Sequence, residues 1–450
     1  MNTIRLMKNI VGGFLTRAAN LGAAAIVVPL AVKSLGTHDY GCFAVVLSTA
    51  TFFSVADFGL GLALVNPVAL ADSRKETWKA RALISQIWFF LLATAVGVLV
   101  TGSGVILLFR RLRTAASLSS SAQTWLLLIA LVAVGLPTGL TQRVLFALDR
   151  NYEANLWQTA GKVLVVLGSF FAYLFHLGIH GFILAALGLP VLVGWVSTAW
   201  LYLYSRPDLA PHASQFSPRG VARHLPSGLR YLLLQLAQLA ELGLDVVLVG
   251  SFLGAERVTS FDLVTRLFNY IPALAAIGIM PLWPAIAGAV ARGEHAWVSK
   301  VERLALLIVL AVSLLPGAAL TFGASALVHL WTGATVRYSI SLTAVLAITA
   351  VLSSVGSLQA SVIMARDGEK RLFHIQLVLL LILVGMKLAI LPLLGIVGLV
   401  SVTAVLYVPR LLLYSRILRE YRAGITPMEY VRDLRERWAQ NFRLQQNLRW

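Results

Sequence analysis

The sequence predicts an all-α membrane protein: twelve transmembrane helices in two parallel lobes of six, with both termini cytoplasmic. Composition, the spacing of apolar runs and an internal repeat each point there. Of 450 residues, 58% are hydrophobic and only 12% are charged, and the mean hydropathy is +0.82. No soluble domain has a core large enough to hide that much apolar surface, so the chain requires lipid as its solvent.

Runs near the roughly 20 residues that cross a bilayer lie at 10–32, 41–66, 83–108, 125–147, 156–177 and 181–204. A second set of six follows at 229–251, 260–285, 304–324, 338–364, 372–393 and 395–417. The two sets repeat one another. Leu35-Gly36 matches Leu253-Gly254, Trp78 matches Trp297, Asp149 matches Asp367, Gln158 matches Gln376, and Leu177-Gly178-Ile179-His180-Gly181 returns as Leu394-Gly395-Ile396-Val397-Gly398, all at offsets of 217 to 219 residues. One register held along most of the chain marks a duplication. An even number of spans per repeat gives both halves the same polarity, so an axis along the membrane normal relates them.

Cytoplasmic loops retain Lys and Arg, which sets the orientation. One alternating set of loops holds Arg5 and Lys8, then Arg74, Lys75, Lys79 and Arg81, then Arg150, then Arg206, Arg219, Arg223 and Arg230, then Arg292, Lys300 and Arg303, then Arg366, Lys370 and Arg371. The other set carries Lys33, Arg257 and Arg337 singly, with Arg110, Arg111 and Arg113 as the exception. The net charge of +18 then reads as topology and attraction to anionic lipid, and nucleic-acid binding is not expected.

Residues 1–204 are thus expected to form the N-terminal lobe, 205–228 a proline-rich cytoplasmic linker, 229–418 the C-terminal lobe, and 419–450 a basic amphipathic tail. In that tail Thr426-Pro427-Met428-Glu429 has the chemistry of a helix start. Val431, Leu434, Trp438 and Phe442 would share one face of the helix, which suits a position on lipid headgroups. The first apolar run is long enough to remain a span, so no cleavable signal peptide is expected. The single cysteine, Cys42, excludes an intramolecular disulfide.

Several missing motifs narrow the function. Without a Gly-x-x-x-x-Gly-Lys-Ser/Thr loop the chain is not itself a P-loop ATP-driven pump. Without His-Glu-x-x-His, and with eight scattered histidines, a metal-hydrolase site is not expected, and no cofactor is implied. Short external loops leave little room for the catalytic groups of a glycosyltransferase or polymerase. A secondary or passive transporter is expected, and not an enzyme.

Ionisable residues inside a membrane are costly and are functional candidates by default. The cations are Arg17, Lys162, Arg266 and Lys387, and the carboxylates are Asp57, Glu241, Asp245 and Asp262. The cations would line a cleft between the lobes and bind an anion, Arg being suited to bidentate contact with phosphate oxygens. Each has a plainer reading. Arg17, Lys162 and Lys387 lie within snorkelling reach of a membrane face. Asp262 and Arg266, one helical turn apart, would neutralise each other. Asp57 would pair with Arg17 inside its own lobe. Glu241 and Asp245 stand at i, i+4, where like charges repel, so cations must sit nearby or one carboxyl carries a proton; a coupling role for H+ or Na+ is open. Pro272, Pro281 and Pro284 mark the eighth run as a candidate for bending.

The run Pro29-Leu30-Ala31, Leu35-Gly36, Tyr40-Gly41, then Asp57-Phe58-Gly59-Leu60 and Arg74-Lys75 resembles the polysaccharide-exporter branch of the MOP superfamily, which includes Wzx-type O-antigen flippases. The resemblance covers roughly residues 5 to 418. It implies a MATE-like fold, and translocation of undecaprenyl-diphosphate-linked oligosaccharide from the cytoplasmic to the periplasmic leaflet of a bacterial inner membrane. It also implies alternating access, with a polysaccharide polymerase and chain-length machinery as partners besides membrane lipids; aromatics such as Trp283, Tyr270 or Tyr40 would then be placed to stack on sugars, an interfacial or packing role being the plainer reading of each. Two alternatives stay open: a cation-coupled multidrug or organic-cation exporter of the same fold, and a membrane glycosyltransferase or polymerase.

Overall fold

The computed structural model describes residues 3–53, 55–112, 122–279, 282–366 and 369–422. Among them there are helices, turns and no strand. Eight helical stretches are long and apolar enough to cross a membrane, as expected of a multi-pass membrane protein. Two of these, Val11–Phe53 and Arg371–Tyr421, have 43 and 51 residues, about twice what a bilayer needs. Each is bent where a glycine leaves helical geometry, at Gly36 (φ 73°, ψ 179°) in α1 (Thr3–Phe53) and at Gly395 (φ 61°, ψ −153°) in a helix near the C-terminus.

The same backbone device recurs at the matched positions of the repeat. Gly254 (φ 86°, ψ 167°) adopts the conformation of Gly36, and Gly178 shares the φ of 61° with Gly395. A side chain is strained in this left-handed region, so glycine stands at both members of each pair.

Some predicted spans are not continuous helices. The run at 41–66 ends as helix at Phe53, turns through Asp57 and Phe58 and resumes as α2 (Leu60–Ser73). After α3 (Thr77–Leu112), the run at 125–147 divides at Pro137 into α4 (Ala122–Gly135) and α5 (Thr138–Ala147), since proline lacks the N–H that would continue the ladder. Then come α6 (Asn151–Leu174), α7 (Gly178–Ile183) and α8 (Leu189–Ala199), the last two joined and followed by wider π turns. The linker is structured. Arg206 Nη2 binds Asp72 Oδ1 (3.0 Å) and Asp208 Oδ2 (2.8 Å), Leu209 is buried, and α9 (Pro218–Leu242) begins inside the expected linker with Ser217 as its cap and Pro218 at its first position.

In the second half α9 gives way at Gly243 to α10 (Leu244–Leu253). Next are α11 (Ala255–Ile279) and α12 (Leu282–Ala291), so the proline-rich eighth run is two helices. Then follow α13 (His295–Thr332), α14 (Ile340–Met364) and α15 (Glu369–Arg422). The Arg113 loop and the amphipathic tail beyond Arg422 lie outside the described residues.

Burial divides into three main cores. One runs from Leu60 to Val221 and draws only on the first half and linker. A second, from Ala275 to Leu418, is wholly second-half. The third is shared: Val28 to Val46, Phe182, Val246 to Val249, Val258 to Ile271 and Leu399 pack together. It gathers the turns at Gly36, Gly178, Gly254 and Gly395, the alternate set that carries Lys33 and Arg257. Backbone approach is closest where the loose family motifs lie. A Cβ on Gly41 would meet Ala255 O at 2.0 Å, and one on Gly59 would meet Gly228 O at 2.2 Å.

Candidate functional site

Two cavities hold intramembrane charge, one centred on each half. The first, about 540 Å³, is lined by Asp57, Gln142, Arg143, Gln158 and Lys162, with Phe53 and Phe146 among its apolar walls. Asp57 sits in the turn before α2, where its carboxylate accepts from the amides of Gly59 (2.8 Å) and Gly61 (3.2 Å). Those are free donors of a helix's first turn, and the negative charge also suits the positive end of the helix dipole. Asp57 and the Arg143 stem flank Gly61, whose Cβ would lie 2.7 Å from Asp57 Oδ2 and 3.3 Å from Arg143 Cγ. Gln158 donates to Gln142 (3.0 Å). Lys162, half-buried on α6, has no hydrogen bond or ion pair among the described residues.

The second cavity, about 440 Å³, lies between α2, α9, α14 and α15. Arg410 Nη1 donates to both Glu241 oxygens at 3.0 Å, Tyr407 donates to Glu241 Oε1, and Arg410 Nε donates to Tyr414 (3.3 Å). The guanidinium also lies over the Tyr407 ring, 5.1 Å from its centroid, a cation–π contact that holds it in place. Gln158 and Gln376, matched in the repeat, each line the cavity of their own half.

The sequence-predicted residues divide between these places. Asp57 and Lys162 line the first cavity and Glu241 the second. Arg266 does not line either one: its Nε lies 2.6 Å from Asp262 Oδ2, which also accepts from Tyr40 (2.7 Å), inside the shared core. Lys387 is fully buried with Nζ 2.6 Å from Asp245 Oδ1, across α15 and α10. Both expected cavity cations are thus neutralised pairs, because a charge removed from water requires a partner at hand. Arg17 is half-buried on α1, lines neither cavity, and forms no ion pair among the described residues. The expected partner of Asp57 is replaced by Arg143, and Glu241 and Asp245 take separate cations, Arg410 and Lys387, on either side of the break at Gly243. Tyr40 is buried against Asp262, which leaves it no face for a sugar, and Tyr270 packs at an angle against Trp331 and lines neither cavity. The side chain of Trp283 lies outside the described residues.

Arg143 and Arg410 are the cavity-lining cations missing from the sequence-based set. Both fall inside runs that the span reading delimited, 125–147 and 395–417, yet near the basic ends, where an arginine passes for an anchor. The default applied to every intramembrane charge would have found them.

The fold and its long apolar helices define a multi-pass, all-helical membrane protein with charged cavities. The chain belongs to the family described as polysaccharide biosynthesis protein, whose model matches residues 6–290. A search of curated proteins finds no match. Among solved structures, the chain is similar to the inward-facing conformation of a multidrug resistance MATE family transporter of the MOP superfamily, at 17% identity and a TM-score of 0.70, covering 91% of this chain and 95% of that one. The outward-facing conformation of a MATE family transporter of the same superfamily gives 16% identity and a TM-score of 0.62, with 94% and 96% covered. A MOP superfamily transporter from Pyrococcus furiosus, described as having a binding pocket of reverse polarity, gives 17% identity and 0.62, with 92% and 95% covered. At these identities the likeness is one of fold.

Proposed function

We propose that this protein is a flippase that moves undecaprenyl-diphosphate-linked oligosaccharide from the cytoplasmic to the periplasmic leaflet of a bacterial inner membrane, for assembly of a surface polysaccharide. The observation that carries the reading is the first cavity: Lys162 and Arg143 against the single carboxylate of Asp57, with Lys162 lacking an internal partner. An unpaired ammonium in a cavity of low dielectric is a site for an anion, and a diphosphate provides one. Family membership supports the substrate class. The higher TM-score with an inward-facing neighbour supports a cavity open to the cytoplasmic leaflet, and the shared core would be the closed external end. The two halves would rock about that end to alternate access. The prenyl tail would stay in lipid.

Asp57 favours one second reading, export of an organic cation, since a carboxylate on a cavity wall would bind one. Proteoliposomes separate the two. Wild type that moves a lipid-diphosphate oligosaccharide between leaflets, with loss in Lys162→Ala and Arg143→Ala, supports the flippase. Organic-cation efflux without lipid transfer, lost in Asp57→Asn, overturns it.

A further inference from the structure

The second cavity differs in kind from the first. Its one cation and one anion are spent on each other: both Glu241 oxygens accept from Arg410, and one also accepts from Tyr407. Neither a free anion nor a free cation finds an unanswered charge there. What remains of the polar wall is neutral, namely Gln235, Ser353, Ser357, Gln376 and Thr403, and leucines and tyrosines make up the rest of the lining. Gln235 Nε2 and Thr403 Oγ1 are buried there with no hydrogen-bond partner among the described residues. A buried donor left unmade carries the full cost of its desolvation, which a ligand that supplies the partner recovers.

From these features we infer that the second cavity is a glycan subsite, which takes a neutral, hydroxyl-rich sugar unit of the translocated molecule while the first cavity takes its charged linkage. The inference rests on the flippase reading above. Sugar hydroxyls both donate and accept, and so answer an amide N–H and a threonine hydroxyl together. Tyr231, half-buried on the wall, offers ring surface to the C–H face of a pyranose. The volume of about 440 Å³ lies within the usual range for small-molecule sites. Leu62 of α2 contributes to a wall otherwise built by the second half, so a sugar seated here touches both halves.

The test is ligand-detected NMR on the protein in nanodiscs, with methyl α-glucopyranoside, methyl β-galactopyranoside, N-acetylglucosamine and glucuronic acid as probes, on wild type, Thr403→Val and Gln235→Leu. Neutral sugars should bind wild type, and each variant should weaken that binding about fivefold, the effect of one neutral hydrogen bond. A melting curve shows that each variant is folded, and if one is not, the other decides. Binding of no neutral sugar at millimolar concentration, binding of glucuronic acid alone, or affinities unmoved in both variants would overturn the inference. A parallel titration of wild type with farnesyl diphosphate reports on the first cavity. Diphosphate binding without sugar binding removes the glycan subsite and leaves the flippase reading standing. Sugar binding that responds to the variants, without diphosphate binding, removes the flippase reading and leaves a sugar site.

Discussion

Replacing Lys387 by methionine should destabilise the protein without touching a transport cavity. The ammonium is fully buried, 2.6 Å from Asp245 Oδ1, and the carboxylate has only 17% of its side chain exposed. Methionine keeps the length of the stem and removes the charge, so Asp245 is left nearly buried and alone. Breaking a buried pair in this way costs about 3–5 kcal/mol, and the residual exposure of Asp245 places the effect near 3. That is roughly a hundredfold in the equilibrium between folded and unfolded protein. Removing both charges, in Lys387→Met with Asp245→Leu, should return most of the loss, because apolar replacements of buried pairs are commonly neutral or stabilising. Unfolding in detergent, followed by the fluorescence of the eleven tryptophans, gives the order wild type, double variant, single variant. A single variant as stable as wild type, yet unable to transport, would refute the pairing and restore Lys387 as a substrate cation.

Other expectations concern the cavity, the turns and the linker. Lys162→Ala should melt like wild type, having no partner to abandon, while on the flippase reading transfer of a lipid-diphosphate oligosaccharide falls roughly 10- to 100-fold, the worth of one charge-assisted hydrogen bond; leaflet transfer and melting measured on the same sample check both halves of that statement. Gly36→Ala and Gly254→Ala should each cost about 1–3 kcal/mol from backbone strain alone, their extended positive-φ conformation being one that only glycine adopts readily, since a Cβ at either position meets nothing within 4 Å. Gly41→Ala should be far worse, because its Cβ would collide with Ala255 O, and unfolding curves for the three variants should separate in that order. The linker clasp should be sensitive to acid. Arg206 holds the Asp208 carboxyl below its usual range through a hydrogen bond, so the clasp is present above the ordinary carboxylate pKa and is lost as pH falls through the depressed value. Limited proteolysis between 207 and 217 should accelerate only at that acidic end and at every pH in Arg206→Ala.

Much of the architecture was legible because lipid imposes a simple rule, that every long apolar run must be helix. The matched glycines were legible too, since a backbone requirement at Gly36 and Gly254 leaves a residue that sequence comparison within the chain can see. The interruptions were less so. The turn lies inside one apolar run, 41–66, and hydropathy averaged over such a run does not register a turn whose amides are satisfied by Asp57. The charges divided along the same line. Asp262 and Arg266 share a helix, so spacing alone announced their pairing, whereas Lys387 and Asp245 meet across 142 positions of sequence that only packing brings together. Glu241 and Arg410, 169 apart, were equally hidden, and with them the neutral character of the second cavity.

The shared core has a thermal consequence. On the alternating-access reading, opening the external end would wet residues such as Val45, Phe43, Val249 and Phe268, now at most 4% exposed, while closing the cytoplasmic end would dry others. Hydration of apolar surface carries a large positive heat capacity. The ratio of the two conformations should therefore vary along a curve with temperature. The curvature would measure how much more apolar surface one opening exposes than the other, an imbalance between the two ends of the molecule that a calorimeter can read.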